Sequence, residues 1–185
     1  STQYLMRHQW LWDSFRGLGK ASPYFAPAVA SVLAAMAAIG LSAAVAEHSL
    51  HALYLLLAGL GMVSVLRLYR PRLGLEHVLA ALVYMFSPYT AQFLLPSGLF
   101  LHYAIAPWLL VAVARGLRAG ETRAWRWPAA FALTVFVVGS LNIPSLMYAC
   151  VPIVPLVVFV VAVERSARWR DVARFVLRAG LLIGV

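Results

Sequence analysis

Six polar side chains lie beside two places where long apolar segments of the sequence are expected to break. The breaks are Ser87-Pro88 and the breaker cluster at 139–144, Gly-Ser-Leu-Asn-Ile-Pro. Proline removes a helical hydrogen bond, and irregular backbone in apolar surroundings persists where protein or a polar cavity covers it. A polar, aromatic-lined pocket beside these breaks would bind a substrate, and its predicted residues are Tyr89, Gln92, His102, Tyr103, Ser140 and Asn142. The alternative is that all six are ordinary residues at the ends of apolar segments.

Carboxylates that could serve as a general base are scarce, because the sequence has only six acidic residues. Asp13 and Glu47 are the two that could face the side opposite the arginine clusters, and Asp13 is a weak candidate for a catalytic residue. The favoured interpretation of Asp13 is the N-cap of a short helix. Ion pairing with nearby arginines accounts for the other four, Glu76, Glu121, Glu164 and Asp171.

The five histidines do not form a metal-binding pattern. His48 and His51 beside Glu47 could supply half of a metal site, but no third ligand is evident, so we predict loop histidines and no metal. The single cysteine, Cys150, lies in an apolar segment and excludes an intrachain disulfide. Zinc-protease, nucleophile-elbow and phosphate-binding glycine motifs do not occur in the sequence.

Arginines occupy alternate gaps between the apolar segments. Basic residues cluster at 67–72, 115–126 and 165–174, whereas the gaps at 47–51, 96–98 and 140–142 contain none. Insertion of a multi-span protein leaves Lys and Arg on the cytoplasmic side of the membrane. The alternation therefore predicts a multi-pass plasma-membrane protein, with hairpin tips at the three uncharged gaps and the pocket on the same extracytoplasmic side.

Composition supports this interpretation. The chain is 63% hydrophobic and 11% charged, and its mean hydropathy of +0.85 is outside the range of soluble proteins. A net charge of +9 would indicate nucleic acid in a soluble protein. Arginines at helix ends meet anionic lipid headgroups instead, so we predict the lipid bilayer as a partner and no nucleic acid.

Five apolar segments are candidates for membrane helices, which need about 20 residues each. They are 25–46, 52–66, 75–95, 99–114 and 127–163. The last would be about 55 Å long as one helix at 1.5 Å per residue, so the breakers predict two short helices, 127–139 and 143–163, meeting at Asn142. The predicted fold is an all-α polytopic transmembrane helical bundle.

Two regions of the chain are expected to behave differently. Residues 1–24 are polar and aromatic, which predicts an outer-loop or interfacial segment, with weak helical periodicity through Leu5, Gln9, Trp12 and Phe15. Residues 25–185 form the transmembrane domain, in which charge counting makes 25–46 a full span. Apolar residues 175–185 are too few to span, and we expect the chain to be a fragment of a larger membrane domain.

Several stretches resemble the GT-C superfamily of polytopic glycosyltransferases. They are the apolar run 53–62, the segment 80–89 that breaks at Ser-Pro, the motif Ala106-Pro107-Trp108, and the breakers within 138–144. Their order looks most like the membrane domain of actinobacterial α-(1→3)-arabinofuranosyltransferases, and it is also similar to YfhO-type membrane proteins. The stretches 11–13 and 23–27 look like the end of the first outer loop of those arabinosyltransferases.

The resemblance implies transfer of a sugar, arabinofuranose in the most similar group, from a polyprenyl-phosphate donor to a cell-envelope polysaccharide outside the membrane. It does not decide whether the enzyme uses a divalent metal as a cofactor. It places the catalytic carboxylate in an outer loop before Ser1, so Asp13 would be a later loop residue. It also makes 25–46 a juxtamembrane or re-entrant helix, against the full span that charge counting gives.

Two other classes of function stay open. A lipid or solute transporter, including a flippase, would use broken helices to form a substrate site at the membrane midplane. The apolar segments hold no acidic residue for proton coupling, which argues against it. A non-catalytic membrane assembly subunit is the third class, and an aspartate-containing outer loop in the full protein would favour the enzyme.

Overall fold

The computed structural model describes residues 12–13, 20–21, 27–88, 90, 97–119, 124–139 and 143–184. Over these residues the protein is all-α apart from one pair of two-residue strands. The elements in chain order are β1 (Trp12–Asp13), β2 (Lys20–Ala21), α1 (Pro27–Ala38), α2 (Ala43–Leu66), α3 (Leu75–Met85), α4 (Ser97–Arg118), α5 (Arg126–Gly139), α6 (Ile143–Cys150), α7 (Ile153–Val158), a π-helix (Phe159–Val163) and α8 (Trp169–Ile183).

The N-terminal segment forms an antiparallel strand pair where it is described. Trp12 pairs with Ala21, and Asp13 pairs with Lys20. The helical periodicity predicted through Trp12 is therefore wrong at that residue, because strand pairing needs extended backbone. Asp13 lies in β1, and the helix that it was expected to cap would begin among residues outside the described part of the chain.

The first interhelical turn lies at 39–42, earlier than predicted. The hairpin tip expected at 47–51 is wrong, since these residues form part of α2. Gly40 adopts a left-handed φ of 84°, and Ser42 caps α2 by accepting a hydrogen bond from Val45 N–H at 3.4 Å. Residues 47–51 contain no Gly or Pro, whereas Gly40 and Ser42 supply a helix stop and a helix start.

The segment 25–46 is not one spanning helix. α1 has 12 residues, about 18 Å at 1.5 Å per residue, and is too short to cross an apolar layer of roughly 30 Å. α2 has 24 residues because the turn falls early, so it is longer than the predicted segment 52–66.

The break predicted at Ser87-Pro88 is confirmed. α3 ends at Met85, and its C-cap Phe86 immediately precedes these two residues. α4 then runs through 22 residues and extends the predicted segment 99–114 at both ends. Ser97 and Gly98, two residues of the predicted tip at 96–98, belong to the first turn of α4, and Pro96 lies outside the described residues.

The segment 127–163 is divided into several helices. α5 ends at Gly139 and α6 begins at Ile143, which agrees with an interruption among the breakers. Residues 140–142 lie outside the described part. The helix expected over 143–163 includes one apolar helical stretch, Leu146–Val163, but its hydrogen-bonding pattern is irregular. It is interrupted at residues 151–152, between α6 and α7, and it ends in the π-helix. Pro152 and Pro155 have no N–H to donate, so a regular helical ladder cannot run through them.

Two helical stretches are long and apolar enough to cross a membrane, judged by length and composition. They are Ala44–Leu66 and Leu146–Val163, the second of which joins α6, α7 and the π-helix. α3 is apolar as well but has 11 residues. Large apolar side chains on these helices are exposed, among them Leu56, Val83, Phe86, Tyr148 and Val163.

The main core lies between α2, α4 and α6. Ala58 and Ala104 are fully buried, and such small residues let helix backbones approach closely. Trp108 of α4 crosses this contact and donates from Nε1 to the carbonyl of Leu57 in α2 at 2.9 Å. The buried cluster consists of Leu50, Tyr54, Ala58, Leu101, Ala104, Ile105, Leu109 and Ala149.

Three of the arginine-bearing stretches meet at one end of the packed helices. Arg118, at the end of α4, donates to Glu164 Oε2 at 2.6 Å just after the π-helix. The Arg118 guanidinium also lies 5.1 Å from the ring centroid of Tyr69, which follows α2. Tyr69 makes an edge contact with Phe159, with centroids 5.9 Å apart. We call this the basic end, formed by residues 67–72, 115–119 and 164–170.

Burial of Arg118 would by itself lower the pKa of its guanidinium. The hydrogen bond and negative charge of Glu164, with a smaller contribution from Tyr69, more than offset that effect and raise the pKa above its ordinary value. Arg118 therefore stays charged, and the ion pair holds the end of α4 against the end of the π-helix.

Candidate functional site

Two tyrosines each precede a proline by four residues, Tyr84 before Pro88 and Tyr103 before Pro107. In an α-helix the carbonyl of residue i accepts from the N–H of residue i+4, and proline has no N–H. The carbonyls of Tyr84 and Tyr103 therefore lack their usual donors. A buried carbonyl without a partner costs about 1–3 kcal/mol, so each needs a replacement.

The two tyrosines supply the missing donors to each other. Tyr103 OH donates to the Tyr84 carbonyl at 2.6 Å. Tyr84 OH donates to the Tyr103 carbonyl at 2.9 Å. The rings stack with their centroids 4.2 Å apart and an interplanar angle of 7°. This reciprocal tyrosine pair fixes the end of α3 against the N-terminal half of α4.

Ser87 links the tyrosine pair to the next helical turn. Its Oγ accepts from Thr90 N–H at 3.3 Å, an N-cap arrangement with Pro88 as the first helical residue. The same oxygen lies 3.1 Å from Tyr103 OH and 3.1 Å from Thr90 Oγ1. Thr90 Oγ1 donates to the Tyr84 carbonyl at 3.4 Å. We call Tyr84, Ser87, Thr90 and Tyr103 the hydroxyl cluster.

An open groove adjoins the hydroxyl cluster. It has a volume of about 470 Å³ and is lined by Leu82, Val83, Phe86, Ser87 and Pro88. Val83 is 72% exposed and Phe86 is 69% exposed. Ser87 belongs to both the groove and the hydroxyl cluster. A hydrocarbon chain in the groove would therefore bring a polar head group close to the cluster.

Two of the six predicted pocket residues lie in the described part of the chain, and one of them joins the cluster. Tyr103 contributes both its hydroxyl and its carbonyl. His102 is 2% exposed and lies next to Tyr103 on α4. The other four, Tyr89, Gln92, Ser140 and Asn142, lie outside the described residues.

The sequence reasoning missed Tyr84 and Thr90. Thr90 is 2% exposed, and Tyr84 makes the stacking and hydrogen-bonding contacts of the pair. The repeated spacing Tyr-x-x-x-Pro was a usable signal for Tyr84, because each proline frees the carbonyl of the tyrosine before it. The only local signal for Thr90 is its position three residues after the N-cap Ser87, and that spacing does not indicate the contact of its hydroxyl with the Tyr84 carbonyl.

The hydroxyl cluster is suited to binding rather than to acid–base chemistry. Neutral hydroxyls donate and accept hydrogen bonds, as sugar hydroxyls and phosphate oxygens require. Activating a hydroxyl as a nucleophile needs an adjacent base. Glu47 is exposed within α2, and His48 donates from Nδ1 to the Ala44 carbonyl at 2.6 Å. Among the described residues, no three His, Cys, Asp or Glu side chains are placed to hold a metal ion.

Known proteins offer no direct guide to this arrangement. No protein-family model, curated protein or solved structure matches the chain. The candidate site therefore rests on its own residues and on the contacts among them.

Proposed function

We propose that the chain is part of a multi-pass plasma-membrane protein whose basic end faces the cytoplasm. The support is the combination of two long apolar helical stretches with the meeting of the arginine-bearing stretches at one end. Retention of Lys and Arg on the cytoplasmic side then assigns the orientation. In this proposal the hydroxyl cluster lies toward the extracytoplasmic side, since α3 and α4 run between it and the basic end.

We further propose that this protein is a membrane-embedded glycosyltransferase of the GT-C type that takes a sugar from a polyprenyl-phosphate donor. The observation that carries the proposal is the apolar groove that shares Ser87 with the hydroxyl cluster. An isoprenoid chain would occupy the groove beside Val83 and Phe86. Its phosphate and sugar would then reach the hydroxyls of Ser87 and Tyr103. The resemblance of the sequence to arabinofuranosyltransferases makes arabinofuranose our first choice of sugar and a cell-envelope polysaccharide our choice of acceptor.

In the proposed reaction an acceptor hydroxyl attacks the anomeric carbon of the donor sugar. The bond from that carbon to the phosphate oxygen breaks, the polyprenyl phosphate leaves with the electron pair, and a base removes the hydroxyl proton. The groove residues carry no carboxylate. The base is therefore none of the groove residues, and the proposed role of the groove and the hydroxyl cluster is to hold the donor.

The binding step is testable with polyprenyl phosphate and a groove-filling substitution. Val83→Trp places a large ring in the groove and should weaken binding of polyprenyl phosphate at least about tenfold, which corresponds to about 1.4 kcal/mol. Val78→Trp is the matched control, because Val78 is a 53%-exposed valine on the same helix and does not line the groove. Binding is measured on protein in nanodiscs by quenching with a fluorescent polyprenyl phosphate.

If Val83→Trp and Val78→Trp bind polyprenyl phosphate equally well, the groove is not part of the donor site. The companion assay measures transfer of labelled sugar from polyprenyl-phosphate arabinofuranose by the full protein. Binding without transfer would favour the non-catalytic assembly subunit. Lipid movement between leaflets without sugar transfer would favour the flippase.

A further inference from the structure

The faces of α8, Trp169–Ile183, differ sharply in chemistry. Val172, Phe175 and Ala179, spaced i, i+3 and i+7, pack toward the other helices. Phe175 meets Phe131 of α5 in an edge contact with centroids 5.7 Å apart. A Cβ on Gly116, near the end of α4, would approach the Phe175 ring, so the two helices touch closely there. This is the docked face of α8.

A second face of α8 is apolar and open. Trp169, Ala173, Val176 and Leu177 follow the spacing i, i+4, i+7 and i+8 and so share one side of the helix. Trp169 and Val176 are each 61% exposed, and Leu177 is 66% exposed. No described element covers these side chains.

A third face carries arginines. Arg170, Arg174 and Arg178 are spaced four residues apart and form a row along the helix. Arg170 is exposed, and Arg174 is 3.9 Å from Asp171 in an exposed ion pair. Arg178 donates to the carbonyl of Ala124 at 3.0 Å, two residues before α5 begins. These contacts hold α8 at the level where α4 ends and α5 starts, which is the level of the basic end.

We propose that the apolar and arginine faces of α8 form a docking surface for an anionic lipid leaflet. The open side chains Trp169, Val176 and Leu177 enter the boundary between head groups and acyl chains, and Arg170 and Arg174 contact lipid phosphates. Charge complementarity selects this occupant, because basic residues beside an aromatic and aliphatic face match the surface of an anionic leaflet. The inference rests on the membrane setting of the proposed function and adds a lipid-head-group surface distinct from the groove at Ser87.

The test uses the whole chain reconstituted in lipid vesicles, with Cys150→Ala as background and single environment-sensitive labels on Leu177→Cys, Leu73→Cys or Val83→Cys. Leu73 is 69% exposed between α2 and α3 and serves as the reference outside α8. In vesicles of phosphatidylcholine with phosphatidylglycerol, iodide should quench the label at 177 at least about fivefold less than the label at 73, because interfacial helices bury one face. Lipids carrying a quencher near the head group should quench the label at 177. The double variant Arg170→Gln, Arg174→Gln should abolish the dependence of that protection on phosphatidylglycerol.

Equal iodide quenching at 177 and 73, or protection at 177 that is unchanged in pure phosphatidylcholine, would overturn the proposal. The label at 83 separates this result from the fate of the proposed function. Protection of the label at 177 together with iodide access to the label at 83 would support the lipid-binding surface of α8 and contradict the proposal that the groove lies in the membrane. Protection of the label at 83 together with iodide access to the label at 177 would support the membrane-embedded groove and overturn the lipid-binding surface of α8. Quenching of the label at 177 only by quenchers placed deep in the acyl chains would assign α8 to the membrane interior and overturn its position at the interface.

Discussion

The carbonyl that Pro88 leaves without a helical donor belongs to Tyr84, and Tyr103 OH fills that position at 2.6 Å. The converse holds for Pro107, because its missing N–H frees the Tyr103 carbonyl, which accepts from Tyr84 OH at 2.9 Å. Each proline thus creates the acceptor that the other helix's tyrosine uses. Removing either hydroxyl should therefore leave one of these carbonyls without its replacement donor and lower the free energy of unfolding.

Tyr84→Phe should lower the free energy of unfolding by about 1 kcal/mol, since it leaves the Tyr103 carbonyl without that hydroxyl. Pro107→Ala restores a backbone N–H at the position that normally serves this carbonyl. On the Pro107→Ala background the Tyr84→Phe substitution should therefore cost much less. The measurement is unfolding in increasing dodecyl sulfate, combined as a double-mutant cycle.

Tyr103→Phe on the same Pro107→Ala background is the matched control. The Tyr103 hydroxyl donates to the Tyr84 carbonyl, which lacks a helical donor because of Pro88 and not because of Pro107. Pro107→Ala should therefore leave unchanged the loss of unfolding free energy that Tyr103→Phe causes. If the cost of Tyr84→Phe is equal with and without Pro107, the proline does not explain the tyrosine pair.

Gly61 should tolerate no side chain. A Cβ added there would lie 2.8 Å from Trp108 Nε1 and 2.9 Å from Pro107 Cβ. Gly61→Ala should therefore destabilise the protein by about 1–3 kcal/mol through overpacking between α2 and α4. Gly180→Ala is the control, because a Cβ at Gly180 meets nothing within 4 Å, and alanine should stabilise α8 by up to about 1 kcal/mol. The measurement is the midpoint temperature of thermal unfolding of each variant. A midpoint for Gly61→Ala that equals or exceeds that for Gly180→Ala would contradict the close approach of α2 to α4.

The ion pair between Arg118 and Glu164 should matter more than the exposed pair between Arg70 and Glu76. The first has an N–O distance of 2.6 Å with side chains 22% and 30% exposed. The second has a distance of 3.9 Å with side chains 76% and 49% exposed. Arg118→Gln should cost about 1 kcal/mol of unfolding free energy, and Arg70→Gln should stay within about 0.5 kcal/mol.

The raised pKa of Arg118 sets the pH dependence of this pair. A raised pKa in the folded state adds stability that is present below the unfolded pKa and is lost only as pH rises through the folded value. Both values lie far above neutral pH. Between neutral and mildly alkaline pH the cost of Arg118→Gln should therefore stay constant, and a steep loss of that cost over this interval would contradict the assignment.

The orientation can be tested with an impermeant thiol reagent on intact cells. Single cysteines on a Cys150→Ala background are placed at Ser49 in α2 and at Leu73, which is 69% exposed between α2 and α3. We expect labelling at 49 and none at 73 until the cells are opened, because 73 lies beside the basic end. Labelling of 73 but not 49 in intact cells would reverse the proposed orientation.

The sequence by itself determined that the described chain is helical and where several helices break. Pro88 and the breakers after Gly139 act through local backbone chemistry, so the ends of α3 and α5 can be read without knowing their neighbours. The turn at 39–42 had a local cause as well, in Gly40 and Ser42. The polar residues 47–51 predicted a loop, but they are helical and lie within α2. Polarity alone does not end a helix when no residue disfavours helical backbone.

Only the tertiary structure decided which side chains make the site. Tyr84 and Tyr103 lie on different helices, and their pairing depends on α3 ending where α4 passes beside it. Local patterns carry no information on such contacts, because their energy comes from satisfying backbone groups across two helices. The same holds for Arg118 and Glu164, whose charges the sequence supplies but whose 2.6 Å contact depends on how α4 and the π-helix end together.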